Sequence, residues 1–514
     1  MKFIQHGIAL INAFAHAIPQ AWPRPRTVAA WFCMALLVRL IIAVQPLATL
    51  DRTFIPDDTY YSLAIAHHIA TLSIPSTDGV IPTNGFQPLI TLLEVPFFWL
   101  GASLDQAAYG AVAISVLCGA AAVAALATLA AISAGAGAGW LAAVIATIHT
   151  ALLRNDLSGM EASLAGFLGL LCVLALYALP RRSEPALPYC FGLLCGAAML
   201  ARVDTMFLIA GCFVLLAVRL GWRAAAAGAA GAATILLPWA VWINATTGAI
   251  FPESGRAVRQ LVAFHEQYDV NALATTLISF CELGRAVPID GTVSLHAAIA
   301  GMLVMLFLLA ASLRARATPL HAFLLASVAL GGIYFLYLPA FWFLARYLHP
   351  VFLASIAVWS AYAVQAWHRN GVSRALAVAV TCVLLAAGLR QLPSMRGGAG
   401  DAFHGFRAPT LALLPYLAPY KHIGAVQSGA LAYYAPAGTQ IVNLDGVVNR
   451  NAYYALRDGT LDSYMRQAKI EAVADYDFST PLFKLRAAKP PNLTLVTRIP
   501  DTRTSKLALY TVAW

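Results

Sequence analysis

Residues Val28–Tyr61 read VAAWFCMALLVRLIIAVQPLATLDRTFIPDDTYY, and this stretch decides the fold. From 28 to 49 only Arg39 is charged, and crossing the hydrocarbon core of a bilayer takes about 20 apolar residues. Polarity then returns abruptly at Asp51, Arg52, Asp57 and Asp58. A retained span followed by a polar, acidic loop is the opening of a polytopic membrane protein, with two adjacent carboxylates where membrane gives way to water.

The rest of the chain agrees. Of its 514 residues 60% are hydrophobic and 11% charged, where a soluble domain carries about 25% charged residues. The eight cysteines are scattered, mostly in apolar stretches (Cys33, Cys118, Cys172, Cys190, Cys195, Cys212, Cys382), and form no CxxC pair. That pattern indicates neither a disulfide framework nor a thiol site. The net charge of +10 is mostly arginine, which in a membrane chain is first a topology signal and not evidence for nucleic acid, so no nucleic-acid partner is expected. No cleavable signal peptide is expected, because Pro19, Pro23 and Pro25 precede the first apolar run.

Further apolar runs lie near 107–133, 139–153, 162–180, 187–201, 203–218, 224–243, 293–313, 319–340, 350–367 and 372–390. With the first, they predict about eleven transmembrane helices. The run at 87–101 is short and broken by Pro88, Glu94 and Pro96, and is assigned to the membrane surface. With that assignment Arg24/Arg26, Arg181/Arg182, Arg219/Arg223, Arg314/Arg316 and Arg369/Arg374 all fall on one side. Short basic loops lie in the cytoplasm, so the N-terminus is cytoplasmic. The outer face receives the first loop, 50–106, with 154–161, Arg202/Asp204, 244–292 and 339–349. The Ala-rich stretches 119–131 and 224–233 read as closely packed spans, and no internal repeat is visible.

After Arg390 charge returns and no span-length run remains. Strands are expected around Ile423–Val426, Gln440–Asn443 and Glu471–Ala474, with helices near Ser428–Tyr434 and Leu456–Ala468. The expected architecture is therefore an α-helical polytopic membrane domain, 1–390, followed by a small extracytoplasmic α/β domain, 391–514.

Chemistry points to the first outer loop: Phe54-Ile-Pro-Asp57-Asp58-Thr-Tyr60-Tyr61, then His67-His68, then Thr83-Asn84-Gly85-Phe86-Gln87-Pro88. One carboxylate of an adjacent pair can act as general base towards a hydroxyl, its pKa raised by burial and by its neighbour. The second can orient the acceptor or hold a divalent cation facing a phosphate. Equally, Asp57-Asp58 can cap the helix that follows. Glu161 opens a span at the same level, where a carboxylate also satisfies helix N–H groups. Arg202 and Asp204 lie between two apolar runs; ionisable residues there pair with each other or serve function. Arg256, Arg259 and Arg346 are candidates to neutralise a phosphate, with head-group contact and, for Trp342 and Tyr347, interfacial anchoring as the alternatives. His67 and His68 fit an interfacial helix or a proton-transfer role. No HExxH, Walker or GxGxxG pattern occurs. Val442-Asn443-Leu444-Asp445-Gly446 reads as a strand-end turn or as part of acceptor recognition.

The acidic pair at the end of the first span, with the longer pattern DD-x-YY…TNGFQPL, resembles the first outer loop of the GT-C superfamily. These are membrane glycosyltransferases that use polyprenyl-phosphate sugars, among them the aminoarabinose, protein-O-mannosyl and arabinofuranosyl transferases. The resemblance implies a GT-C-like membrane domain in a bacterial inner membrane with its site facing the periplasm. It implies catalytic roles for Asp57, Asp58 and Glu161, with Asp57 as base. It implies substrate contacts for Tyr60, Tyr61, His68, Asn84, Gln87, Arg202, Asp204, Arg256, Arg259, Arg346 and Tyr347. The implied partners are a polyprenyl-phosphate sugar donor, a glycan, lipid or protein acceptor and membrane lipids, with a divalent cation at Asp57 and Asp58 as the one cofactor to consider. The rival classes are a transporter or flippase of lipid-linked saccharide, which would carry midplane charges and repeat symmetry, and a non-catalytic binding protein.

Overall fold

The structure is a computed structural model that describes residues 21–180, 184–265, 319–337, 344–367, 371–396, 405–476, 489, 491–500 and 506–514. The apolar run 293–313, the basic residues Arg181, Arg182, Arg314, Arg316 and Arg369, and Trp342 lie outside the described residues.

Every other apolar run forms a helix, beginning with Pro25–Ala43, Leu104–Ala134 and Ala136–Ile148. The protein is a multi-pass membrane protein, but fewer helices than eleven meet the length and hydropathy of a span unaided. Among the described residues six do, and seven if a bent pair counts as one. The bent pair is the 139–153 run: Ala136–Ile148 and Thr150–Asp156 meet at 65°, where the His149 ring accepts from Leu152 N and caps the start of the second helix. Ala162–Ala178 and Ala186–Ala201 are shorter apolar helices, ending where Glu161 and Arg202 begin a charged cluster. Pro88–Trp99 has 12 residues, a rise of about 18 Å at 1.5 Å per residue. That is well short of a bilayer core of about 30 Å.

Small residues set the packing. A Cβ on Gly192 would lie 2.7 Å from the Gly228 carbonyl carbon, so helices Ala186–Ala201 and Trp222–Thr247 touch backbone to backbone. The main apolar core joins Trp31, Ala127, Leu170, Phe323 and Phe352 from different helices.

The C-terminal part holds a mixed sheet of five strands: β1 His422–Ala425, β2 Gln440–Asn443, β3 Ala472–Tyr476, β4 Asn492–Arg498 and β5 Leu507–Ala513, in the order β2-β1-β3-β5-β4. The first three are parallel, with Ile423 opposite Ile441 and Ala472. β5 runs antiparallel to both β3 and β4. The expected helix over Leu456–Ala468 is two, Arg450–Asp458 and Leu461–Gln467, split where Gly459 takes a positive φ. The parallel order leaves the C-terminal ends of β1 and β2 facing the first outer loop, where α/β sheets commonly place binding residues.

Candidate active site

Two groups of side chains are built on helix Asp57–Leu72, and the adjacent aspartates divide between them.

Asp58 belongs to the first. Arg346 donates to Asp58 Oδ2 at 2.7 Å and lies 3.9 Å from Glu161 Oε1. Glu161 is bound by Arg202, which also grips Asp204 at 2.7 Å. Both guanidiniums stack on Tyr347, at 5.0 Å for Arg202 and 5.2 Å for Arg346. Three carboxylates and two arginines from four separate stretches thus form one network, as buried charges must. Glu161 and Arg202 are its buried end, while the Asp58 side chain keeps 29% exposure and Arg346 16%.

Local structure explains this convergence. Gly159 takes φ +76° and its Cα faces Thr59 Cγ2. Thr59 Oγ1 donates to Ser158 O at 2.8 Å, and Ser115 Oγ to Met160 O at 2.9 Å. The first bond seats the turn before Glu161 on the helix bearing Asp58, and the second seats it on helix Leu104–Ala134. Thr59 was not singled out from sequence, although it follows the acidic pair directly.

Next to the network lies a small apolar cleft of about 10 Å³. It is lined by Ala165 and Gly169, by Thr205 and Leu208, by Phe323, Ser327 and Leu330, and by Pro350. Ala165, Thr205 and Pro350 follow Glu161, Arg202 and Arg346 by about one helical turn, so charge at the top passes directly into hydrocarbon-like surface.

Asp57 belongs to the second group. It is 4% exposed, and its two oxygens accept from Gly429 N and Ala430 N, both at 2.8 Å. It therefore caps helix Gly429–Tyr434 of the C-terminal part, in addition to starting its own helix. Burial pushes the Asp57 carboxyl up to about 7, with Asp58 and Asp475 adding to the rise and the two N–H bonds opposing it. Tyr61 OH donates to Val426 O at 3.2 Å and accepts from Ser428 N at 3.0 Å. Tyr60, fully buried, donates to Asp51 at 2.7 Å, and Asp51 in turn accepts from Phe406 N and Arg407 N. Asp445, at the turn after β2, is 6% exposed and is pushed by burial up to about 7.

The remaining candidates shape the loop. His68 Nδ1 lies 2.8 Å from Ser76 O. Asn84 donates to Ala249 O and Phe251 O and accepts from Glu253 N, which ties the first loop to the segment before helix Ser254–His265. Glu253 pairs with Arg450 at 3.1 Å. Gln87 stands at the N-terminus of helix Pro88–Trp99 and makes no side-chain cap bond there. Arg256 and Arg259 are exposed on helix Ser254–His265, and no described contact brings them to Asp58. Sequence reasoning also missed the pair Arg39–Asp156, 2.5 Å and almost fully buried, and Glu94, which is buried and accepts from Ser62 at 2.6 Å.

The donor set does not suit a divalent cation. Asp57 spends both oxygens on backbone N–H groups and Asp58 faces a guanidinium. Among the described residues no three His, Cys, Asp or Glu side chains stand close enough together to hold a metal ion.

No protein-family model and no curated protein matches the sequence. Solved structures do match in fold. ArnT from Cupriavidus metallidurans bound to undecaprenyl phosphate superposes with a TM-score of 0.54 at 13% identity, over 93% of this chain and 98% of ArnT. The same protein in the apo state gives 0.53 at 16% identity, over 94% and 98%. The oligosaccharyltransferase from Archaeoglobus fulgidus in its apo form gives 0.54 at 13% identity, over 95% of this chain and 74% of that one. Across nearly its whole length, this chain has the fold of the GT-C glycosyltransferases.

Proposed function

We propose that this protein is an inverting glycosyltransferase that moves a sugar from a polyprenyl-phosphate donor to a hydroxyl acceptor at the outer face of a bacterial inner membrane. The observation that carries the reading is the network Asp58–Arg346–Glu161–Arg202 sitting next to an apolar cleft. An anionic head would pair with Arg346 there, beside the apolar surface that an isoprenoid tail would need. The fold likeness to ArnT, whose solved structure is bound to undecaprenyl phosphate, supports the same donor class.

In this mechanism the donor phosphate binds Arg346, which exchanges its Asp58 partner for the phosphate oxygens by bidentate hydrogen bonding. Asp58, so released and accessible, takes the proton of the acceptor hydroxyl as that oxygen attacks the anomeric carbon. The bond from that carbon to the phosphate oxygen breaks, and the electron pair leaves with the lipid phosphate. Arg346 stabilises the charge that develops there, while Arg202 and Glu161 hold Arg346 and Tyr347 in place. The base in this reading is Asp58 rather than Asp57, because Asp57 is 4% exposed and held by two backbone N–H groups while the Asp58 side chain keeps 29% exposure beside Arg346. The C-terminal part, 391–514, lies on the same outer face and walls the site on the acceptor side.

The test offers radiolabelled polyprenyl-phosphate sugars to membranes containing the protein. Release of free polyprenyl phosphate with label in a new product is the expected result. Movement of intact lipid-linked sugar without cleavage would identify a transporter instead.

A further inference from the structure

We infer that Asp57 is a positioning residue, a clamp that fixes the C-terminal sheet against the first outer loop and thereby sets the geometry of Asp58 beside it. The inference rests on the glycosyl-transfer reading, but its docking half does not. Asp57 Oδ2 accepts from Gly429 N and Oδ1 from Ala430 N, each at 2.8 Å. These donors open a helix that follows β1 of the sheet, 372 positions away in sequence. The approach is close enough to exclude any side chain at 429: a Cβ there would lie 2.8 Å from Asp57 Cγ and Oδ1, and would overlap the Asp57 carbonyl. Tyr61, one turn further along the same helix, closes the seam on Ser428 and Asn443.

Asp58 is the next residue after Asp57, so the rotation of this helix about its axis decides whether Asp58 meets Arg346. Asp57 fixes that rotation from one side and Thr59, through Ser158 O, from the other. Three consecutive side chains thus divide the work: Asp57 binds the sheet, Asp58 faces the reaction, and Thr59 binds the membrane domain. A misplacement of about 1 Å at a reacting group costs on the order of 100-fold in rate, so losing the clamp acts through Asp58.

The experiment compares Asp57→Asn, Asp57→Ala, Asp58→Asn and Gly429→Ala, measuring transfer kinetics and protease cleavage of the C-terminal part in the full-length protein. Asparagine keeps one acceptor oxygen, so Asp57→Asn is expected to lose roughly 10-fold in kcat and Asp57→Ala roughly 100-fold. In Asp57→Asn the donor KM should stay near the wild-type value, since Arg346 is untouched, so that the loss falls on kcat. Asp58→Asn should fall by about 10²- to 10⁴-fold, as loss of a general base does, with cleavage like the wild type. Gly429→Ala leaves both carboxylates in place and should reproduce Asp57→Ala in rate and in cleavage. Combining it with Asp57→Ala should cost no more than either alone. The inference is overturned if Asp57→Asn is as inactive as Asp58→Asn while its C-terminal part stays protected, or if Gly429→Ala transfers like the wild type. If the wild type transfers nothing, the glycosyl-transfer reading fails. Cleavage then still decides the clamp, which is refuted if Asp57→Ala and Gly429→Ala remain as protected as the wild type.

Discussion

Gly85→Ala is the sharpest probe of how the first outer loop meets the C-terminal sheet. Gly85 has no left-handed backbone, so alanine carries no conformational penalty there. Its Cβ, however, would lie 3.0 Å from the Val447 carbonyl carbon and overlap the carbonyl oxygen. Optimal non-bonded separation is about 3.5–4.0 Å, so loop and turn must part by about 1 Å. Both are held: Asn84 is tied to Ala249, Phe251 and Glu253, and Val447 N donates to Asp445 Oδ1 at 2.8 Å. Forcing an extra methyl into such a place costs about 1–3 kcal/mol, which raises the fraction of molecules with an open seam roughly 5- to 150-fold. Native-state proteolysis reads this directly, since cleavage tracks the open population when opening is fast. Gly255→Ala is the control, because a Cβ at Gly255 meets nothing within 4 Å. Cleavage in Gly85→Ala no faster than in Gly255→Ala would refute the packing of this seam.

Other consequences follow from the same contacts. Arg346→Lys keeps a charge but loses the planar fork and is expected to lower transfer at least 10-fold, with the donor KM rising; an unchanged KM would remove Arg346 from phosphate binding. Asp156→Ala strands the buried Arg39 guanidinium and should destabilise the membrane domain by about 3–5 kcal/mol, read as a fall in thermal stability in detergent. The seam should also weaken with pH. Asp57 and Asp445 both stand at about 7 in the folded protein, above about 3.9 for a free aspartate. Between those values the folded state holds the extra protons, so stability falls as pH rises. Tail cleavage should therefore be faster at pH 8 than at pH 5, and Asp57→Asn with Asp445→Asn should flatten the dependence.

The membrane class was legible because ordinary apolar runs of span length leave little alternative, and the parallel part of the sheet because β1, β2 and β3 are short apolar runs between turns. β4 was not legible: NLTLVTR sits at the sheet edge with mostly exposed residues, so no buried-strand pattern marks it. The network residues Asp58, Glu161, Arg202, Asp204, Arg346 and Tyr347 could be nominated one by one, because ionisable groups beside apolar runs are costly and need a reason. Their grouping could not, since it depends on how the helices pack. The separate partners of Asp57 and Asp58 were hidden for a similar cause. Asp57 binds Gly429 N, 372 positions away, and nothing near Asp57 in sequence announces a partner so distant. Arg256 and Arg259 are exposed on helix Ser254–His265, and exposure alone does not assign them a role.

The most direct test of the central claim is transfer by purified wild type and Asp58→Asn, reconstituted in lipid and given the same panel of radiolabelled polyprenyl-phosphate sugars. The account predicts that the wild type cleaves a donor and labels an acceptor. A folded Asp58→Asn should lose that activity by at least about 100-fold and still bind polyprenyl phosphate. Equal transfer by both proteins would contradict it.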